Sequence, residues 1–235
     1  MSLDHSLTYR KKTAVNTLHR GRLKKILRIL DAQKFKSNYS YLDIGCSNGY
    51  LTNLIAQRYK FSASKGVDHN VENINIAKKK YDHTKFEYID LNEPIIKSEE
   101  KYNVITCFET IEHVGNIENA FKQILSFAKS KKSFILISVP IEIGPWGIVK
   151  FLVKTMLYNY SLKELKDGTT FISYFWHLIT FQNISKFRDI RKGWGTHFGF
   201  DYREVDKFLE SECEFKAKNH LSTRFYLIKK ATNNV

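Results

Sequence analysis

Short apolar runs alternate with amphipathic stretches between residues 39 and 139 of the chain. The first run, Tyr39–Ile44, is apolar at most positions, as is typical of a strand buried on both faces of a sheet. Similar runs lead up to Asp68 and to Asp90, and others form Val104–Phe108 and Phe134–Val139. Between the runs, apolar residues recur at three- and four-residue spacing, which predicts helices. The alternation predicts an α/β fold with a doubly wound, mostly parallel sheet.

The alternation stops after residue 140 and resumes near residue 200. A structureless connection as long as residues 141–199 is uncommon inside a domain, so this part is expected to have structure of its own. It holds an apolar segment, Trp146–Leu157, and an aromatic cluster around Phe175. A predicted helix, Asp201–Cys213, and two further predicted strands bring the sheet to seven strands. We therefore expect one domain, 1–235, with a helical insertion at 141–199 that acts as a lid or substrate-binding element.

An amphipathic helix is predicted before the first strand, within an N-terminal extension over residues 1–36. Its apolar residues form one stripe, and lysines and arginines occupy most of the remaining positions. The stripe consists of Val15, Leu18, Leu23, Ile26, Leu27 and Leu30. One interpretation is that the stripe packs on the body of the protein and the charged face lies in water. The other is that the basic face contacts an anionic ligand or a membrane surface.

The charge balance of the chain favours an anionic partner. Lysine and arginine number 38 against 24 aspartates and glutamates, which gives a formal net charge of +14. Such a charge suits RNA, an anionic membrane surface or an acidic small molecule, and it does not choose among them.

Cysteine usage and hydropathy indicate the compartment. Cys46, Cys107 and Cys213 are too few and too scattered for a disulfide framework, so free thiols are expected. The sequence has no apolar signal segment and no apolar run long enough to span a bilayer. We expect a cytoplasmic protein, with peripheral membrane binding as a variant.

The first predicted strand ends in a glycine turn that runs from Asp43 to Gly49 and reads D-I-G-C-S-N-G. Glycine is needed where the backbone turns sharply or where a ligand lies against it, and the next helix points free N–H groups into the same space. The turn resembles motif I of the class I S-adenosylmethionine-dependent methyltransferases, D-x-G-x-G-x-G, with Ser47 in place of the middle glycine. Two glycines in a strand-to-helix turn also occur for structural reasons alone.

This resemblance implies a Rossmann-like fold and S-adenosyl-L-methionine as the cofactor. Asp43 would lie near the methionine amino group, Asp68 would bind the ribose hydroxyls, and Asp90 would contact the adenine. Three acids at the ends of three successive strands are hard to explain as separate turn residues. The cofactor-binding residues that the resemblance implies are Asp43, Gly45, Cys46, Ser47, Asn48, Gly49, Asp68, His69, Asp90, Leu91, Phe108 and Glu109.

The fourth predicted strand is followed by a motif that reads E-x-x-E-H, formed by Glu109, Glu112 and His113. It is similar to the motif of the ubiquinone-biosynthesis O-methyltransferases and of the small-RNA 3′-terminal 2′-O-methyltransferases. In the RNA enzymes, these three residues and a later histidine hold a divalent metal. The similarity implies a metal site here, completed by His197 just before the late helix. The alternative is that the motif forms the floor of the cofactor pocket and holds no metal.

Together these patterns predict methyl transfer to a hydroxyl oxygen of a small-molecule, lipid-like or glycan acceptor, chosen by the insertion. The enzyme would align donor and acceptor in a dry pocket, and His113 or His197 would accept the hydroxyl proton. One alternative is an RNA 2′-O-methyltransferase, which the basic charge and the E-x-x-E-H motif favour. Another is a non-catalytic module that binds S-adenosylmethionine and regulates a partner.

Overall fold

The computed structural model of the protein describes residues 14–95, 99–158, 164–191 and 194–229. Its helices are α1 (Ala14–Asp31), α2 (Tyr50–Tyr59), α3 (Val71–Lys80), α4 (Ile117–Ser126), α5 (Gly144–Tyr158), α6 (Phe171–Ile179) and α7 (Tyr202–Glu212). Its strands are β1 (Ser40–Ile44), β2 (Ala63–Asp68), β3 (Lys85–Tyr88), β4 (Val104–Phe108), β5 (Phe134–Pro140), β6 (Ile190–Arg191), β7 (Trp194–Gly195), β8 (Glu214–His220) and β9 (Thr223–Lys229). Short 3₁₀ turns cover Ile111–His113 and Ser185–Phe187.

Seven strands form the central sheet in the order β3-β2-β1-β4-β5-β9-β8. Strands β1 to β5 pair in parallel, while β9 runs antiparallel to both β5 and β8. The strand order changes direction between β1 and β4, and ligands bind at such a switch point in doubly wound sheets. The predicted seven-stranded, mostly parallel sheet is confirmed.

Helices cover both faces of this sheet. On one face, α4 and α7 bury Phe121, Ile124 and Val205 against the strands. On the other face, α1 and α2 pack on β1, β4, β5 and β9, and α1 contributes the fully buried Ile26 and Leu30. Ile26 and Leu30 of the apolar stripe therefore pack on the sheet, as the first of its two interpretations predicts, whereas Leu18 is 40% exposed. The part of the extension before Ala14 lies outside the described residues.

The helices α4 and α7, which cover one face of the sheet, both begin at a side-chain cap. Asn116 Oδ1 accepts a hydrogen bond from the Asn119 amide at 2.9 Å and starts α4. Asp201 Oδ1 accepts one from the Arg203 amide at 3.1 Å and starts α7. Both contacts satisfy helix N–H groups that have no partner within the helix.

The insertion has a small core of its own. Phe151 from α5 packs with Tyr174 and Leu178 from α6, and the later Phe187 and Phe198 complete the cluster. Besides the predicted helices, the insertion forms a short antiparallel hairpin, β6–β7, which the sequence pattern did not indicate. No helix among the described residues is both long and apolar enough to cross a membrane.

Helices α5 and α6 also carry a set of exposed apolar side chains, here called the apolar face. On each helix these side chains recur at three- or four-residue spacing, so they share one side of the helix. The apolar face consists of Trp146, Val149, Val153 and Met156 on α5 and Ile172, Trp176 and Ile179 on α6.

Candidate active site

A cavity of about 550 Å³ opens at the carboxyl ends of β1, β2 and β4, where the strand order changes direction. The glycine turn after β1 and the end of β2 line one half of it. Residues that follow β4 and β5, together with side chains from α1 and α5, line the other half. His113, Trp194 and His197 lie along its wall. Residues far apart in sequence thus enclose one space of ligand size.

The glycine turn has left-handed backbone conformations at three positions, with φ values of 76° at Gly45, 48° at Ser47 and 77° at Gly49. A Cβ atom at Gly45 would overlap the Thr110 hydroxyl, and one at Gly49 would lie 2.6 Å from Phe86. Ser47 adopts the conformation that explains why glycine is usual at its position in the motif. The cavity is lined by Gly45, Cys46, Ser47 and Asn48, whereas Gly49 shapes the turn from behind.

Asp43 is buried at the bottom of the cavity and is held by two hydroxyl groups. Thr52 donates a hydrogen bond to Oδ2 at 2.6 Å, and Thr106 donates one to Oδ1 at 2.7 Å. Burial raises the pKa of Asp43 to about 6, although both hydroxyl groups oppose that shift. The carboxyl group is therefore poised to change its charge near neutral pH.

Asp68 fixes the glycine turn as well as lining the cavity. Its Oδ2 accepts a hydrogen bond from the Ser47 amide at 2.8 Å, and its Oδ1 accepts one from the Asn70 amide at 2.8 Å. His69 follows it and also lines the cavity. Because each carboxylate oxygen can accept two hydrogen bonds, Asp68 keeps acceptor capacity for a ligand.

The third predicted acid does not reach this cavity. Asp90 accepts the amide hydrogen of Asn92 at 2.8 Å in a local turn, and Leu91 is buried in the core. Neither of them lines the cavity. Instead, Trp194 of β7 stacks on His69 with ring centroids 3.7 Å apart and contributes the flat aromatic surface there.

The E-x-x-E-H motif divides into two parts. Glu109 has a φ of 51°, and its carboxylate lies 2.8 Å from Arg22 of α1. Ser138 of β5 donates a hydrogen bond to the same carboxylate at 3.1 Å. Phe108 and Glu109 both line the cavity. Among the described residues, Glu109 is not part of the group of side chains that could hold a metal, so the structure does not bring it into the predicted set of four ligands.

The other three predicted ligands come together. One ligand atom from each of Glu112, His113 and His197 lies within 4.8 Å of the others, and the two imidazole rings are 4.2 Å apart. Glu112 is fully buried, and neither of its carboxylate oxygens has a hydrogen-bond partner among the described residues. Burial raises the pKa of the Glu112 carboxyl well above its usual range, and the charge of Glu109 raises it further.

His113 is oriented by the insertion. Its Nδ1 lies 3.2 Å from the carbonyl oxygen of Gly195. A carbonyl oxygen only accepts hydrogen bonds, so Nδ1 carries the proton in the neutral ring and Nε2 keeps its lone pair. In this tautomer, Nε2 is the ring nitrogen whose lone pair can bind a metal or accept a proton.

The sequence patterns did not identify several of the residues that line the cavity. Leu18, His19 and Arg22 come from α1, whose sequence pattern shows only an apolar stripe and a basic face and does not identify individual cavity residues. Glu142 and Lys150 form a 2.9 Å ion pair on the wall beside α5. Isolated charges of this kind carry no local signal, and only the tertiary fold brings them together.

The chain is similar in sequence to known methyltransferases. A family model described as a methyltransferase domain matches residues 16–185. The ubiquinone biosynthesis O-methyltransferase of Rickettsia akari is 26% identical over 137 residues, which cover 58% of this chain and 54% of that relative. Its counterpart in Pelagibacter ubique is 29% identical over 175 residues, which cover 63% of this chain and 71% of that relative. The chain spans about half of the length of several other curated relatives that it matches.

Solved structures agree on the fold. The magnesium protoporphyrin IX methyltransferase of Synechocystis PCC 6803, crystallised with bound SAH, matches with a TM-score of 0.59 at 12% identity. The match covers 97% of this chain and 93% of that one. The sheet order, the glycine turn and a family model that spans well over half of the chain lead to one conclusion: the chain belongs to the methyltransferase domain family.

Proposed function

We propose that the cavity binds S-adenosylmethionine and that the protein transfers its methyl group to a hydroxyl oxygen of a small-molecule or lipid-like acceptor. The observation that carries the proposal is the glycine turn, pinned by Asp68 and opening into a cavity whose far wall holds two histidines. The curated relatives named as O-methyltransferases support an oxygen acceptor.

Several residues of the cofactor half of the cavity support this proposal. Gly45 lines the cavity without a side chain of its own, so a ligand can lie against the main chain of the turn. Asp43 would face the amino group of the methionine part, and Asp68 would accept the ribose hydroxyls. His69 and Trp194 offer flat aromatic surfaces to the adenine. S-adenosylmethionine would supply an activated methyl group on a positively charged sulfur.

The acceptor half combines apolar and charged groups. Leu18 and Pro140 lie beside the Arg22–Glu109 and Glu142–Lys150 ion pairs. Because each cation here is matched by a carboxylate, this half suits a largely neutral acceptor with hydroxyl groups better than a polyanion. His113 Nε2 would accept the hydroxyl proton, with His197 as the second candidate.

We also propose a divalent metal at Glu112, His113 and His197. A buried carboxyl without a hydrogen-bond donor is costly unless a proton or a cation stabilises it, and Glu112 is such a group. A mixed set of one carboxylate and two imidazoles suits Mn²⁺, Fe²⁺, Co²⁺ or Zn²⁺. A metal held there would lower the pKa of an acceptor hydroxyl.

The affinity for S-adenosylhomocysteine should rise between about pH 5 and about pH 7. Asp43 has a pKa of about 6, so it is neutral at the lower pH and charged at the higher one. Only the charged form pairs with the ammonium group of the ligand, which stays protonated over this range. We expect about a tenfold gain in affinity by calorimetry.

The matched control is Asp43→Asn, which keeps the shape and removes the titration. Its affinity should be weaker and nearly independent of pH. An equal pH dependence in both proteins would show that Asp43 does not face the ammonium group. Failure of the unsubstituted protein to bind at any pH would contradict the proposed cofactor itself.

Catalysis is tested by incubating the protein with methyl-labelled S-adenosylmethionine and a cell extract separated into RNA, lipid and small-molecule fractions. Label is expected in a lipid or small-molecule fraction. Label confined to RNA would favour the 2′-O-methyltransferase alternative, and tight cofactor binding without any transfer would favour the non-catalytic module.

The apolar face supports a second part of the proposal, docking on an anionic membrane surface. An exposed apolar set of this size is unusual on a protein with no partner, and tryptophan is common at membrane interfaces. The net charge of +14 adds attraction to anionic lipid. Lys150 of the same α5 helix lines the cavity, so a lipid-like acceptor could pass from the membrane to the site.

Binding to vesicles of phosphatidylcholine and phosphatidylglycerol should weaken at least about tenfold when Met156, Ile172 and Trp176 are all changed to serine. These side chains are 78%, 79% and 58% exposed, so the change removes apolar surface without opening the core. Co-sedimentation measures the loss. The control changes Val71 and Tyr88, which are 56% and 54% exposed elsewhere, and should bind as before. Equal binding by all three proteins would contradict membrane docking through this face.

A further inference from the structure

We propose that Arg188 is a positioning residue that holds the backbone on both sides of His113, and so sets the direction of the His113 ring. The inference rests on the proposed function, because it gives His113 a role in the reaction. Arg188 follows the 3₁₀ turn Ser185–Phe187 in the insertion, far in sequence from the E-x-x-E-H motif.

The contacts of Arg188 are concentrated on that motif. Its Nη2 donates hydrogen bonds to the carbonyl oxygen of Glu112 at 2.5 Å and to that of Val114 at 2.9 Å. These two residues directly precede and follow His113. A guanidinium group is planar and rigid, so one side chain can fix both carbonyl groups relative to each other.

The surrounding chain makes room for this side chain. A Cβ atom at Gly195 would overlap the guanidinium group, with Nε only 2.6 Å away. A Cβ atom at Gly199 would lie 2.6 Å from the backbone nitrogen of Arg188. Gly195 is also the residue whose carbonyl oxygen accepts the Nδ1 hydrogen bond of His113. Arg188 and Gly195 therefore hold the backbone and the ring of the same histidine from one side.

The buried position of Arg188 costs folding free energy, so stability of the fold does not by itself explain this residue. Arg188 is 8% exposed and lies over the ring of Phe200, with its guanidinium carbon 5.6 Å from the ring centroid. Burial lowers its pKa, while the charges of Glu204 and Glu112 oppose that effect. A charge removed from water without a paired carboxylate in hydrogen-bond contact is expensive, and an apolar residue would fill the space at lower cost. The two hydrogen bonds to carbonyl groups explain why a charged side chain occupies this buried position.

The test uses nuclear magnetic resonance of protein labelled with ¹⁵N at histidine, which reports the tautomer of each ring. The His113 signals are assigned by their loss in His113→Gln. In the unsubstituted protein we expect a single tautomer with the proton on Nδ1. In Arg188→Gln this preference should be lost. In Arg188→Lys, which keeps the charge but not the planar guanidinium group, it should be partly retained.

Gly195→Ala is the second variant, because it displaces the guanidinium group while keeping the arginine. It should change the His113 signals in the same direction as Arg188→Gln. Arg58→Gln is the matched control: it removes another arginine, one that pairs with Asp31 on the surface, and should leave His113 unchanged. S-adenosylhomocysteine affinity, measured in parallel, should stay the same in Arg188→Gln, Arg188→Lys and Arg58→Gln.

An unchanged His113 tautomer in folded Arg188→Gln would overturn the inference. So would loss of cooperative unfolding in Arg188→Gln, Arg188→Lys and Gly195→Ala alike, since Arg188 would then hold the fold rather than the turn. These outcomes are separate from failure of the proposed function, which would appear as absent cofactor binding in the unsubstituted protein.

Discussion

Asp68→Ala is expected to weaken S-adenosylhomocysteine binding at least about tenfold, because a lost hydrogen bond to a charged group costs on the order of 1.5–3 kcal/mol. The structure gives this carboxylate two tasks. It accepts the Ser47 and Asn70 amides at 2.8 Å each, which fixes the turn beneath the ligand, and it retains acceptor capacity for the ribose hydroxyls. Calorimetry measures the affinity, and thermal unfolding checks that the variant is folded.

Asp90→Ala is the informative control for this prediction. Asp68 ends β2 and Asp90 follows β3 of the same sheet, and the resemblance to class I methyltransferases implies that both contact the cofactor. The structure places Asp68 on the cavity wall and Asp90 away from it. Asp90→Ala should therefore bind the ligand as the unsubstituted protein does. A folded Asp68→Ala with full affinity, or equal losses in both variants, would contradict this assignment of the cavity.

Glu112→Gln and His197→Ala are expected to lower methyl transfer at least about a hundredfold and to abolish Mn²⁺ binding. Glu112 supplies the only carboxylate of the cluster among the described residues, and His197 brings the second imidazole from the end of the insertion. Transfer is measured after exhaustive chelation, with Mn²⁺ or Mg²⁺ added back. Calorimetry with Mn²⁺ alone gives a second readout that needs no acceptor.

Glu109→Gln tests whether Glu109 binds the metal, as the E-x-x-E-H motif alone suggests, or only pairs with Arg22, as the structure predicts. Its carboxylate pairs with Arg22, so the variant should bind Mn²⁺ as the unsubstituted protein does. Full transfer activity after chelation would contradict the metal proposal and leave His113 as the base. Loss of Mn²⁺ binding in Glu109→Gln would mean that the side chain moves into the cluster when the metal binds.

Local patterns were enough to predict the sheet and the turn below the cofactor. The runs around Leu42 and Ile105 are strands in the predicted places, and the acid that ends β2 lies on the cavity wall. Such features depend on alternation, on glycine at positive φ and on the shared edge of parallel strands, all of which are encoded within a few residues.

Features that depend on long-range contacts could not be predicted in this way. Glu109 pairs with Arg22, which is far away in sequence and comes from a helix whose basic face was predicted to lie in water or to contact an anionic ligand or a membrane surface. Arg188 and Trp194 gain their roles when the insertion folds back onto the motif, and neither lies in a recognisable pattern. Asp90 matches the sequence pattern of a cofactor ligand, but its carboxylate accepts a hydrogen bond within the local turn after β3.

The position of β9 has a consequence for how the chain is made. This strand lies between β5 and β8 in the sheet, yet it follows every other described strand in the sequence. During synthesis, one edge of the apolar strand β5 therefore has no partner strand until the ribosome has added β9. An unpaired edge of this kind can pair with other chains. We expect the nascent protein to need protection from aggregation until that moment, and chains cut short within β9 to be lost to aggregation or proteolysis rather than to accumulate as partly active enzyme.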